Sequence, residues 1–284
     1  MRQFTVRNLM IFFRDRTSVF FSLLAVFIII GLYVLFLGDV WTGSLQGMSG
    51  TRFLMDSWIM AGLLAVTSMT TTMGAFGIMV EDKVKNISKD FYSSPVKRST
   101  LASGYIVGSY VIGVIMTLIT LLLAEIYIVS FGGFLLSTGS LLKVVGIILL
   151  STLTNTSIIL FIVSFFKSTN AFATASTVIG TLIGFLTGIY LPIGQLPNAV
   201  QWAIRLFPVS HSAALLRQSM MEAPLSKTFT GMPAEAAEKF RLFMGVDLNY
   251  GDTTVSPVLS IGILLLTTGV FFALSILSLS RKKK

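Results

Sequence analysis

The chain has 284 residues, of which 54% are apolar and only 12% are Asp, Glu, Lys or Arg, about half the ~25% charged fraction of a soluble domain. With a mean hydropathy of +0.85, composition excludes a pair of soluble domains and points to lipid as the solvent. The absence of Cys and the single His exclude disulfide scaffolds, thiol nucleophiles and histidine metal cages, so neither a catalytic residue nor a metal site is expected.

Crossing ~30 Å of hydrocarbon takes ~20 mainly apolar residues, which makes the intervals between charges the first guide to topology. Charge-free runs predict six spans, at residues 17–38, 57–80, 103–131, 141–166, 171–191 and 257–280. The first follows basic residues as a secretory signal would, but its apolar run is too long and no A-x-A site follows, so it is read as a retained span. Arg2, Arg7, Arg14 and Arg16 precede it, Lys83, Lys85, Lys89, Lys97 and Arg98 fill the second loop, and Arg281 to Lys284 end the chain. The intervening short loops hold Arg52 and Lys143. Because Lys and Arg concentrate on the cytoplasmic side, both termini are expected there, in a multi-pass protein of the cell membrane. The net charge of +9 then fits anionic headgroups, and nucleic acid is not needed to explain it.

Residues 2–16 place Val6, Leu9, Met10 and Phe13 on one helical face and Arg7 and Arg14 on the other, the pattern of a helix lying in the membrane surface. In the second loop, Val84, Ile87 and Phe91 form an apolar ridge among lysines, and Ser93-Ser94-Pro95 ends the helix. Such a ridge either carries force to a partner or sits in a loop that only fixes topology. The stretch 193–220 contains Arg205, His211, Arg217, Pro197 and Pro208, a poor lipid-facing span. A seventh crossing would also put the basic tail outside, so two short re-entrant helices are expected there. Residues 221–256 are too few for an independent core and are read as a small external cap.

Taken together, these segments resemble the type-2 ATP-binding-cassette exporter permeases, the membrane subunits of multidrug, antibiotic, toxin and cell-surface glycan exporters. Three stretches carry the resemblance: Phe12 to Arg16 before the first span, Ser93 to Thr100 before the third, and Gly188 to Pro192 continuing through Pro197 and Phe207-Pro208 to Arg217. The resemblance implies an all-α integral membrane protein with six transmembrane helices. It implies that residues 83–94 form a coupling helix, with Val84, Ile87 and Phe91 docking in an ATPase subunit. It also implies a re-entrant gate marked by Pro192, Pro197 and Pro208. The partners it implies are two copies of a separate ATPase and a second permease, identical or homologous, with the first and fifth spans of the two copies meeting at the centre. No G-x-x-x-x-G-K-[ST] phosphate loop occurs, so this chain is expected to bind no cofactor, with ATP and Mg on the partner subunit.

Inside the spans, Glu125 is expected to be the sole acid, either a pathway group or a structural acid bonded to Arg205, Arg217 or His211. Thr67, Thr70, Thr71 and Gly74 form a polar stripe; Thr67 and Thr71 either line a passage or bond back to their own helix. Gly180, Gly184 and Gly188 recur at every fourth position and predict a close helix-packing face, which the family resemblance implies lies at the dimer centre. The expected function is export of amphipathic drug-, antibiotic- or toxin-like molecules by alternating access, with a lipid-linked glycan or lipid as the alternative cargo. An intramembrane enzyme would need paired carboxylates or clustered ligands at span depth, and an ion-coupled carrier would need more ionisable groups than this chain carries there.

Overall fold

The computed structural model describes residues 1–37, 50–87, 91, 98–251 and 253–281. Helix α1 (Arg2–Arg14) is followed by α2 (Arg16–Leu32), which runs into a π-helical turn at Tyr33–Leu37. Then come α3 (Thr51–Val84), α4 (Arg98–Ser130), α5 (Thr138–Val163) and α6 (Thr169–Leu186). A 3-10 turn (Ile193–Gln195) leads to the short helices α7 (Asn198–Leu206), α8 (Pro208–Met220), α9 (Glu222–Thr228) and α10 (Ala234–Phe243). A two-stranded hairpin, β1 (Asn249–Tyr250) and β2 (Thr253–Thr254), precedes α11 (Pro257–Arg281). Six of these helices, α2 to α6 and α11, are long and apolar enough to cross a membrane.

Helix α3 is the axis of the bundle. Its 34 residues extend about 50 Å at 1.5 Å per residue, well beyond a bilayer core. Of its apolar window 78% is buried inside the protein, against 18% for α2, 11% for α6 and 22% for α11. The last three therefore stand at the perimeter with apolar faces uncovered. Lipid tails are as apolar as Leu, so the helices must find specific contacts with one another. Ser68 on α3 meets Thr152 on α5 at 3.0 Å and accepts from the Asn155 amide at 3.0 Å. Gly113 on α4 approaches the same place so closely that a Cβ there would lie 2.5 Å from Thr72 Oγ1.

Several boundaries differ from the sequence reading. The helix of the second span is longer than the 57–80 stretch read from the sequence: it begins at Thr51 and runs to Val84, so it carries Asp56, Glu81 and Asp82 at its two ends, outside that stretch. Arg52 and Asp56, one turn apart, form an ion pair at 3.2 Å, which lets the helix carry both charges. The fifth span stops at Leu186 rather than 191. Gly188 takes a left-handed φ of +67° just past the helix end, and the Gly188 and Ile189 N–H groups bond back to Phe185 O and Gly184 O. Helix α1 turns Thr5, Asn8 and Phe12 towards the protein and leaves Val6 and Met10 exposed, so its apolar residues are shared between two faces.

Candidate functional site

A cleft of about 750 Å³ opens between α2, α3 and α6. Its back wall is the α3 row Thr70, Met73, Gly74, Gly77 and Glu81, which recurs at i, i+3 or i+4 and so forms one helical ridge. Small residues on this ridge let the neighbours approach: a Cβ at Gly77 would lie 3.3 Å from the Phe172 ring of α6, and one at Gly74 would lie 3.8 Å from Ser22 Oγ of α2. Phe21 and Ser22 from one side and Phe172, Ser176 and Gly180 from the other complete the walls. Asp15, Glu81 and Thr169 place one end of the cleft beside the start of α2, the last turn of α3 and the start of α6. Two caps set that end. Asp15 Oδ1 accepts the Thr17 and Ser18 N–H groups at 3.0 and 3.2 Å, and Ser168 Oγ accepts the Ala171 N–H at 3.2 Å.

At the same end of α3, α1 is fastened by a buried ion pair. Arg7 donates to both oxygens of Asp82, at 2.8 and 2.9 Å, and Tyr105 of α4 donates to Oδ2 at 2.6 Å. Asp82 raises the Arg7 guanidinium above its usual range by accepting these bonds. The guanidinium lies 5.4 Å from the Phe4 ring centroid and 5.2 Å from that of Phe91. Phe4 meets Phe91 edge-on at 5.1 Å and Tyr105 at 4.9 Å. Asn8 extends the attachment by donating to Gly104 O at 3.3 Å.

At the other end of α3, the Arg52 guanidinium donates to the Tyr127 hydroxyl at 3.2 Å and lies 4.8 Å from the Phe131 ring. Further along, the fully buried Arg217 lies 4.7 Å from the Trp58 ring and donates to Gly245 O at 3.3 Å. Trp58 Nε1 donates to Met244 O at 2.7 Å. The segment after α6 is thereby tied to α3. His211 of α8 ties it in turn to α11, bonding Ser260 at 3.1 Å, and bonds Arg205 O at the end of α7 at 3.0 Å.

The sequence-predicted residues fall unevenly on these features. Thr67 and Thr71 are buried and donate to the carbonyls one turn back, Leu63 O at 2.8 Å and Thr67 O at 2.7 Å, while their stripe neighbours Thr70 and Gly74 line the cleft. Glu125 accepts the Leu136 N–H at 2.9 Å and closes the turn after α4, instead of bonding Arg205, Arg217 or His211. The glycine row is divided. Gly180 faces the open cleft, Gly184 is covered by the Tyr190 ring of its own chain, and Gly188 ends the helix, so the three do not form one packing stripe. Pro192 and Pro197 stand just before the 3-10 turn and α7, and Pro208 opens α8. On the ridge, Val84 is exposed, Ile87 is half-buried, and Phe91 packs onto α1. The remaining positions of 83–94, namely 88–90 and 92–94, lie outside the described residues, as does most of the Ser93–Thr100 motif. Sequence reasoning missed Arg7, Asp82 and Tyr105, and also the α3 ridge, whose i, i+4, i+7, i+11 spacing from Thr70 to Glu81 was available as a signal.

A family model described as an ABC-2 family transporter protein matches residues 42–277. The chain is also similar to "Nodulation protein J" of Rhizobium meliloti (strain 1021), at 33% identity over 86 residues, which are 30% of this chain and 33% of that protein. The match therefore spans about a third of that relative's length. A bundle of six apolar helices around α3, matched by the family over most of its length, places this chain in the ABC-2 transporter family as a multi-pass membrane permease.

Proposed function

We propose that this chain is the membrane subunit of an ATP-driven exporter in which the cleft between α2, α3 and α6 is one half of the passage. Permeases of this family normally work with an ATPase subunit, and here the ATP and Mg belong to that partner. The single observation that supports the reading is the position of the cleft. It opens beside the last turn of α3, where the coupling segment begins and where Arg7 fastens α1 to the same turn. A push on the segment at Val84 to Phe91 reaches α3 directly. It reaches α1 through Phe91, Arg7 and Asp82, and α1 passes it to α2 through the Asp15 cap. The same displacement thus moves two walls of the cleft. Two copies of the permease, joined along α2 and α6, would cover the apolar faces these perimeter helices leave open, with both termini in the cytoplasm and α1 at the membrane surface.

Phe21, Met73 and Phe172 give the cleft apolar walls, with hydroxyls from Ser22, Thr70 and Ser176 between them. This lining suits an amphipathic drug-, antibiotic- or toxin-like cargo better than a sugar chain, whose many hydroxyls would lose water without partners. The test is reconstitution in proteoliposomes with and without the co-expressed ATPase. ATP-dependent movement of an amphipathic dye is expected only with both subunits. Movement by this chain alone would overturn the assignment.

A further inference from the structure

We propose that the cleft selects amphiphiles that carry positive charge, with the apolar body between Phe21, Met73 and Phe172 and the cationic group at the mouth near Asp15 and Glu81. This inference rests on the exporter reading above and adds the sign of the cargo's charge.

Four observations converge. First, among the described residues lining the cleft, the charged ones are Asp15 and Glu81, both acids at the same end. Second, the helix N-termini at that mouth, which would otherwise attract anions, are capped by the chain's own side chains: Asp15 accepts two N–H groups of α2 and places a carboxylate there, and Ser168 accepts one N–H group of α6. Third, Phe12, Phe21 and Phe172 are among the residues lining the cleft, and aromatic rings attract cations. Fourth, at about 750 Å³ the space matches a drug-sized ligand of the 300–1,000 Å³ class. The basic neighbours do not reverse the sign. Arg14 and Arg16 are exposed on either side of Asp15 and do not line the cleft, and Lys83 donates to Phe166 O at 2.7 Å. Lys85 pairs with Glu81, but both side chains are more than half exposed, so a cationic ligand can exchange with it in water. Bonds from Ser18 hold the Asp15 carboxyl below the usual carboxylate range, so it stays ionised at cellular pH. An anionic cargo would meet two carboxylates at the entrance with no cation of the lining to offset them.

The experiment is a binding titration on the purified full chain in phosphatidylcholine nanodiscs, read by fluorescence anisotropy. The probes are rhodamine 6G as the lipophilic cation and anilinonaphthalene sulfonate as the amphipathic anion. Asp15→Asn removes the charge but keeps the cap, since Asn caps a helix as well as Asp does, and it is combined with Glu81→Gln. The cation is expected to bind the parent chain more tightly than the anion, and the double variant to bind the cation about tenfold more weakly without weakening the anion. A preference for the anion, or unchanged cation binding in the double variant, overturns the inference. Failure of the exporter reading has a different signature: cation binding and its loss in the variant persist, but inverted vesicles holding permease and ATPase show no ATP-dependent uptake.

Discussion

Replacing Arg7 with Ala tests the proposed route from the coupling segment to the cleft. In the parent chain the Asp82 side chain is 5% exposed and that of Arg7 is 28% exposed. Removing one partner of a buried ion pair costs ~3–5 kcal/mol, because a desolvated charge is left behind. Here the cost falls towards ~2 kcal/mol, since Arg7 keeps some contact with water and Tyr105 still donates to Asp82. Loss of the guanidinium over Phe4 and Phe91 adds ~0.5–1 kcal/mol. A total of ~2.5–3 kcal/mol shifts the docking of α1 by roughly 60- to 140-fold. The assay is paired: hydrogen exchange of α1 amides, and the ratio of cargo moved to ATP hydrolysed in the reconstituted complex. Arg7→Ala is expected to lose protection in α1 and lower that ratio while ATPase activity persists. Arg7→Lys, which keeps charge but not the two-pronged geometry, should fall between. Unchanged protection together with an unchanged transport ratio would refute the route through α1.

Three further substitutions separate packing from passage. Gly113→Val would drive a Cβ to within 2.5 Å of Thr72 Oγ1 and 2.8 Å of Thr152 Cγ2; the crossing of α3, α4 and α5 should lose ~3 kcal/mol, seen as a lower melting temperature in detergent. A Cβ at Gly180 would meet nothing within 4 Å, and Gly180 lines the cleft, so in Gly180→Leu the melting temperature should hold while transport falls as the new side chain occupies the cleft. Trp58→Phe removes the bond to Met244 O and weakens the ring contact with Arg217; ~1–2 kcal/mol of stability should be lost, with the segment after α6 becoming the first site of limited proteolysis.

How much of this was legible in the sequence depended on the range of the interaction. The six spans were visible because each is a run without charge, and lipid penalises charge position by position. The start of the second helix at Thr51 was hidden because Arg52 and Asp56 are read as loop charges until their pairing one turn apart is seen. A glycine repeat at every fourth position reads as a packing stripe, yet one member ends the helix and another is covered by Tyr190, since the helix stops before the repeat does. Thr67 and Thr71 belong to the stripe that hydropathy reveals, but only packing decides that Thr70 and Gly74 face the cleft. Arg7 and Asp82 are 75 residues apart; nothing local in either segment announces the pair, and Arg7 was naturally read as a solvated charge opposite an apolar face.

The central claim is that work done on the end of α3 by a separate ATPase changes the width of the cleft. Since the chain has no Cys, two can be introduced, at Phe21 and Gly180 on opposite walls, and spin-labelled for distance measurement by pulsed electron paramagnetic resonance. The distance distribution should shift on adding ATP and Mg when the ATPase subunit is bound and stay fixed when it is absent. A distribution indifferent to ATP in the full complex, or one that shifts without the ATPase, would contradict the account.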